Sequence, residues 1–489
     1  MKPLSVTSPA IGLRVMWTYI VTGLTIFLLM LLVGISMRGS QAGWWTIEPG
    51  TFYSLLSLHG IGMLTAMVVA GLGTLWYLVS RETGLDARVA YLAYAFFVAG
   101  VACVIVSVVP GHYGALWTML YPLPFTGTYW PTWATGAWLV GAALVMLGFM
   151  IWCGQILGAL LARYGGLGGV LAVDYVLHSR AFAKLDREPP PPQIFAAAIT
   201  AIDGLIAGAA GLTVGVALIV RWLDPTVAID PLWAKNLTYL FGHTFANLTM
   251  YMAVAGIYVG LPICTRRAYH TSVPLVLAWW GTLLFVIIAY FHHLYMDFVQ
   301  AESVKLVGEL ASFLAAIPVV VITVYGAVLL VHRSGMRWTL GSMFLFTGLI
   351  GWVVGGVAAV LDSTIPFNVD LHNTLWVPAH FHTYLLEGVV LFTLGWVFVN
   401  LEQRAGASSG ALIRWLAGLG VFGGGALFVL GFYIAGAAGV PRRYAVEPPP
   451  GPYLAGIATV GAILVLVGLL VVAYEALRLA RLPRSEVAP

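Results

Sequence analysis

Long apolar runs separated by short polar stretches fill the chain, at about 14–36, 52–79, 88–109, 132–161, 194–220, 236–264, 273–296, 303–331, 338–361, 373–400, 411–440 and 452–480. Each is long enough to cross a bilayer as a helix, so the pattern predicts twelve membrane helices in one all-α domain over residues 1–489. The basic residues then sort by side. With the N-terminus inside, seventeen of the 23 Lys and Arg fall on the inner face, among them Arg14, Arg81, Arg163, Arg266, Arg333, Arg404 and Arg478. Six remain at outer positions: Arg38, Arg221, Lys235, Lys305, Arg442 and Arg443. The asymmetry predicts both termini in the cytoplasm.

Composition agrees with a polytopic membrane protein: 61% of 489 residues are hydrophobic, 9% are charged, and the mean hydropathy is +0.94. The net charge of +4 is accounted for by the inner-face bias and implies no nucleic-acid partner. The first run is too long for a signal-peptide core and lacks a small-residue cleavage site, which predicts that it is retained. Cys103, Cys153 and Cys264 form no CxxC pair, so neither a disulfide framework nor a thiolate metal site is expected. The longest inner segment, 163–193, carries Pro189 to Pro192 and reads as a cytoplasmic linker. The outer segment 110–130, with His112, Tyr121, Pro122, Pro124 and Gly127, reads chiefly as an aromatic interface belt.

Polar residues inside apolar runs are costly, and they mark the candidate chemistry. Asp203 lies about three turns into the fifth run, either functional or a hydrogen-bonded packing residue. Histidines are more telling. His59 precedes Gly60 in the second run, His243 and Asn247 share a face of the sixth, and His292-His293 closes the seventh. The tenth opens on His372-Asn373-Thr374-Leu375-Trp376-Val377-Pro378-Ala379-His380-Phe381-His382. On a helix, His380 and His382 point about 200° apart, so the two serve different cofactors. By the predicted topology His59, His243, His292, His293, His380 and His382 all lie in the outer part of the bilayer. His59 with one histidine of the tenth helix suits a six-coordinate, low-spin haem. The other suits a five-coordinate, high-spin haem, and His243, His292 and His293 suit a copper or iron ion.

These motifs, with Pro441-Arg442-Arg443, resemble the catalytic subunit I of the haem–copper oxidase superfamily, over nearly the whole chain. The resemblance implies that fold and a prokaryotic inner-membrane location. It also implies an electron-donating subunit II, cupredoxin-like or cytochrome c-like. It gives His380 to the high-spin haem, His59 and His382 to the low-spin haem, and His243, His292 and His293 to the non-haem metal. Arg442, Arg443 and His372 match residues at the haem propionates. Tyr258, Ser312 and Thr323 look like polar positions of the single proton channel of the B-type oxidases. Tyr258 is fifteen residues inward of His243, about 22 Å along a helix axis. Glu387 and Glu309 are alternative proton carriers.

One position departs from the family pattern. Oxygen-reducing members usually carry a tyrosine, cross-linked to the helix-six histidine, four residues after it; here that residue is Asn247. A subgroup draws its tyrosine from six residues before the His-His pair; here that residue is Val286. An amide has no readily dissociated proton and supplies no radical. Reduction of nitric oxide, 2 NO + 2 e⁻ + 2 H⁺ → N₂O + H₂O, needs neither. The expected function is therefore an oxidase-like nitric oxide reductase. The well-studied iron type has a Glu at this position, which Asn247 is not. The alternative is a cytochrome c or quinol oxidase reducing O₂, with Tyr251 or Tyr290 as the substitute tyrosine. A membrane haem protein that only carries electrons is the reading from another class, and it leaves His292 and His293 idle.

Overall fold

The computed structural model describes residues 7–116, 129–179, 188–297 and 299–483. Tyr121, Pro122, Pro124 and Gly127 of the aromatic outer segment lie outside these residues, as do Arg180, Lys184 and Arg187. Twelve helices among the described residues are long and apolar enough to cross a membrane. They are α1 (Pro9–Gln41), α2 (Pro49–Ser80), α3 (Ala87–Val108), α4 (Thr132–Tyr164), α5 (Pro192–Leu223) and α6 (Pro231–Thr265). There follow α7 (Val273–Leu294), α8 (Glu302–Val331), α9 (Leu340–Ser363), α10 (Trp376–Ala405), α11 (Ala411–Ala437) and α12 (Gly451–Arg481). Each corresponds to one apolar run. A chain in hydrocarbon must satisfy its backbone internally, and the helix does so within one segment.

The ends follow local chemistry. Glu48 accepts from Thr51 N ahead of α2, with Pro49 in the first turn where its missing N–H costs nothing. Thr339 and Ser342 form a reciprocal capping box at α9. Gly165, at φ 74°, stops α4 in a left-handed cap. The linker after α4 is more ordered than its composition suggests, with short helices at Leu167–Val170 and Val173–Leu177. They are tied down by Trp280 Nε1 donating to Leu171 O at 3.0 Å and Tyr175 Oη donating to Thr271 O at 3.2 Å.

The contacts sort into two compact units: Met1–Met37, Ile47–Met252 and Thr271–Val319 in the first, and Arg38–Thr46, Ala253–His270 and Val320–Pro489 in the second. Small residues let helices close on one another within each unit. In the first, α3 crosses α4 where a methyl on Gly100 would stand 2.7 Å from Gly141 O. In the second, α11 crosses α12 where a methyl on Gly468 would stand 2.7 Å from the backbone of Gly420 and Val421.

Two helices are not uniformly α. α10 is α-helical over Trp376–His382, π-helical over Thr383–Val390 and α-helical again over Leu391–Ala405. α7 tightens into a 3₁₀ turn over Tyr290–Leu294. Both departures fall at histidines singled out above, as irregular turns commonly do at functional positions. α10 is also the most enclosed span, 89% of its core window being buried against 28% for α3 and α8. It is therefore the helix best placed to hold polar groups out of lipid.

Gly436 on α11 lies directly on the Trp376 amide at the start of α10. Gly436→Ala should lose about 1–3 kcal/mol of stability, seen as a lower thermal midpoint in detergent. Gly423→Ala, where nothing lies within 4 Å, should stay within about 0.5 kcal/mol of the parent.

Candidate metal and haem centres

In the first unit, His243, His292 and His293 converge, with one ligand nitrogen from each lying within 4.8 Å of the others. The ring centroids are 4.8 Å apart for His243–His292, 5.3 Å for His243–His293 and 4.2 Å for His292–His293. The 3₁₀ turn brings this about. At three residues per turn it swings neighbouring side chains by about 120°, somewhat wider than an α-helix does. Ser312 on α8 sets one ring. Its hydroxyl donates to Gly308 O at 2.7 Å, so it accepts from His292 Nδ1 at 2.9 Å, and the His292 lone pair falls on Nε2. Ser312, one of the expected proton-path positions, thus adjoins the histidine cluster. Three imidazoles this close, with no carboxylate grouped with them among the described residues, fit a copper or iron ion.

Asn247 lies against the same cluster. Its Nδ2 donates to His243 O at 2.9 Å and stands 3.3 Å from His243 Nε2. Val286 is buried. Tyr251 packs edge-on against Trp279, and Tyr290 donates to Asn236 Oδ1 at 3.1 Å. Tyr239 was not expected. Its ring stacks on His293 with centroids 5.3 Å apart and planes 24° apart. It stands four residues before His243 on the same face of α6, and that spacing was the available signal.

His59, also in the first unit, directs Nδ1 at Met30 O, 2.9 Å away. Gly34 on α1 leaves room for the ring, since a methyl there would stand 2.8 Å from His59 Cε1.

In the second unit, His380 directs Nδ1 at Gly355 O on α9, 3.2 Å away. His382 directs its own at Pro378 O, 2.7 Å away, and its ring packs against both Phe428 and Phe432 of α11. The two histidines thus face different helices, as the 200° offset requires. All three of His59, His380 and His382 give the N–H of Nδ1 to a backbone carbonyl. That tautomer carries the lone pair on Nε2, the atom that binds a haem iron, so the residues present fit axial ligation.

A short backbone pairing builds the corner at the start of α10. Leu375 N donates to Val440 O, and Arg442 N to Asn373 O, both at 2.9 Å, while Thr374 bridges Pro441. Arg442 Nη2 reaches Asn373 Oδ1 at 2.9 Å. Asn373 and Arg443 both sit at positive φ, 62° and 69°. Burial, then the charges of Arg442 and Arg443, push the His372 imidazole down to about 4. It is neutral at neutral pH, beside two cations suited to carboxylates. Nearby in the same unit, the Arg38 guanidinium lies 4.1 Å over the Phe432 ring and pairs with Glu447.

Of the expected proton-path residues, Tyr258 and Thr323 meet in the second unit, their hydroxyls 2.7 Å apart. Glu387 is buried on the π turn of α10.

A family model described as cytochrome C and quinol oxidase polypeptide I matches residues 14–472. The chain belongs to that family. Among curated relatives, this polypeptide I chain is 27% identical over 252 residues to cytochrome c oxidase subunit 1 of Thermus thermophilus, covering 46% of the chain and 43% of the relative. It is 24% identical to the alternative cytochrome c oxidase subunit 1 of Bradyrhizobium diazoefficiens, over 86% and 73%. It is 26% identical to cytochrome bo(3) ubiquinol oxidase subunit 1 of Buchnera aphidicola, over 49% and 36%. The matches thus span under half of the Thermus and Buchnera relatives. The fold is that of a heme-copper terminal oxidase seen as a dimer by cryo-EM, with TM-score 0.80 and 20% identity over 98% of this chain and 86% of that one.

If the three histidines hold a metal, His292→Ala should abolish it, and Ser312→Ala should loosen it about 10–100-fold through loss of ring orientation alone. Metal-to-haem ratios after dialysis against a chelator read both effects.

Proposed function

We propose that the chain is the catalytic subunit of a membrane-bound terminal reductase that reduces nitric oxide: 2 NO + 2 e⁻ + 2 H⁺ → N₂O + H₂O. The observation that carries this reading is Asn247. It lies against His243, where an oxygen-reducing member has its tyrosine, and Val286 fills the other known location. In this reading His59 and His382 hold a low-spin haem, His380 a high-spin haem, and His243, His292 and His293 a copper or iron ion. When bound, the haem iron and the second metal supply the two electrons that NO reduction needs, with no protein radical.

The chain's own groups do the rest. Asn247 offers an amide N–H for hydrogen bonding to a small bound molecule. Ser312 keeps His292 in the ligating tautomer. Arg442, Arg443 and neutral His372 hold the acidic edge of a haem, and Asn373 fixes Arg442. Protons enter at the Tyr258–Thr323 pair from the cytoplasmic side, where the basic-residue bias also puts both termini. The enzyme is a multi-pass protein of a prokaryotic inner membrane, fed by a subunit II carrying a cupredoxin or cytochrome c domain.

Reduction of O₂ is the second reading. The relatives named above are oxidases of cytochrome c or ubiquinol, and Tyr239 stacked on His293 is an oxidisable phenol at the metal ligands.

Anaerobic turnover of the purified complex with reduced donor and NO should yield N₂O, with weak O₂ uptake by the same sample. Rapid four-electron O₂ reduction without N₂O formation would replace this reading with the second.

Tyr258→Phe removes the hydroxyl that meets Thr323 and should slow steady-state turnover by about tenfold or more at unchanged haem content. Turnover at the parent rate would remove the pair from the proton path.

A further inference from the structure

A 3₁₀ turn has poorer hydrogen bonds than the α-helix it interrupts, so its neighbours must hold it. The turn over Tyr290–Leu294 carries two of the three clustered histidines, and whatever holds it also sets His292 and His293. Within the first unit it is met from two sides. On one side Phe291 packs against α8 at Gly308, where a methyl would stand 2.6 Å from Phe291 Cβ and 3.4 Å from His292 N. On the other, α6 presents Asn236, Tyr239 and His243, spaced three and four residues apart and so along one face. His243 belongs to the cluster, and the ring of His293 stacks on Tyr239. Asn236 is the outermost of the three.

The amide of Asn236 is oriented by its own helix. Its Nδ2 donates to Leu232 O, one turn back, at 2.9 Å, which leaves Oδ1 as a free acceptor with two lone pairs. Both are used: Tyr290 Oη donates to it at 3.1 Å and Gln300 Nε2 at 3.2 Å. Tyr290 is the first residue of the 3₁₀ turn, and Gln300 lies in the connection that leaves it. One carbonyl oxygen thus holds the turn at its entrance and beyond its exit. The adjacent Lys235 repeats the attachment, with Nζ 2.6 Å from Asp297 Oδ2 in the same connection. That connection is itself folded, Asp297 N donating to Leu294 O at 3.0 Å and Gln300 N to Asp297 O at 3.1 Å.

We propose that Asn236 is a positioning residue of the metal site. Through Tyr290 and Gln300 it clamps the 3₁₀ turn onto α6, so that His292 and His293 are presented to the same point as His243. Its action is carried by the backbone of the turn, whereas Ser312 sets the tautomer of one ring. The clamp rests on the reading of the three histidines as a metal site, and it is indifferent to NO or O₂.

The test uses the purified, haem-loaded complex, stripped of its non-haem metal by a chelator and reloaded with Zn²⁺. Zinc has no redox chemistry, and its X-ray absorption edge is distinct from that of haem iron. Two quantities are read: the number of imidazoles around Zn²⁺, and the rate at which Zn²⁺ is lost to a chelator. The parent should show three imidazoles. Asn236→Leu removes the shared acceptor; it should show fewer than three and lose Zn²⁺ at least about tenfold faster, at unchanged haem content. Tyr290→Phe should also speed the loss, by about threefold or more. Asn236→Asp keeps an acceptor oxygen for Tyr290 and Gln300, so it should hold three imidazoles at close to the parent rate, a rescue that general destabilisation would not give. The clamp is overturned if N236L keeps three imidazoles at the parent rate, if Y290F releases Zn²⁺ at the parent rate, or if N236D releases it as fast as N236L. A parent that takes up no Zn²⁺ overturns the metal site and the clamp with it. Failure of the nitric oxide reading would leave every one of these outcomes as stated.

Discussion

An imidazole inside a hydrocarbon layer has one N–H and one lone pair, and no water to take the first. His59, His380 and His382 each solve this the same way, giving the N–H of Nδ1 to a backbone carbonyl. His292 gives its own to Ser312. That single choice fixes the tautomer, the ring plane and the atom left to bind a metal. Much else serves it. Close approach of α9 to α10 brings Gly355 O within reach of His380. Gly34 leaves the space that the ring of His59 occupies.

The same pressure explains the irregular turns. A π turn straight after His382 redistributes the carbonyls below the histidine pair, and a 3₁₀ turn under His292 and His293 rotates them onto one point. Regular α-helix would be cheaper at both places. Departures from it are retained where side-chain direction matters more than backbone regularity.

What could be read in one dimension is what lipid dictates in one dimension. Twelve apolar runs became twelve helices, because bilayer thickness sets their length and periodicity plays little part. The divergence of His380 from His382, and the neighbourhood of His243 with Asn247, follow from helical offsets alone. Contacts between helices were out of reach, since they depend on packing that no local pattern encodes. That the Ser312 hydroxyl also meets His292 was not legible. The stacking of Tyr239 on His293 had no place in the sequence reading. The pairing of Asn373 with Arg442 likewise needs two segments almost seventy positions apart to meet.

The pairing of Arg38 with Glu447 spans 409 positions of chain. A ribosome feeding helices into the membrane makes α1 before α11, and Arg38 then waits through ten further helices before its counter-ion emerges. The loop bearing Glu447 follows α11, so the corner that also holds Arg442 and His372 cannot close until eleven helices have been made. Before that loop is made, the first helix ends on a guanidinium without its counter-ion.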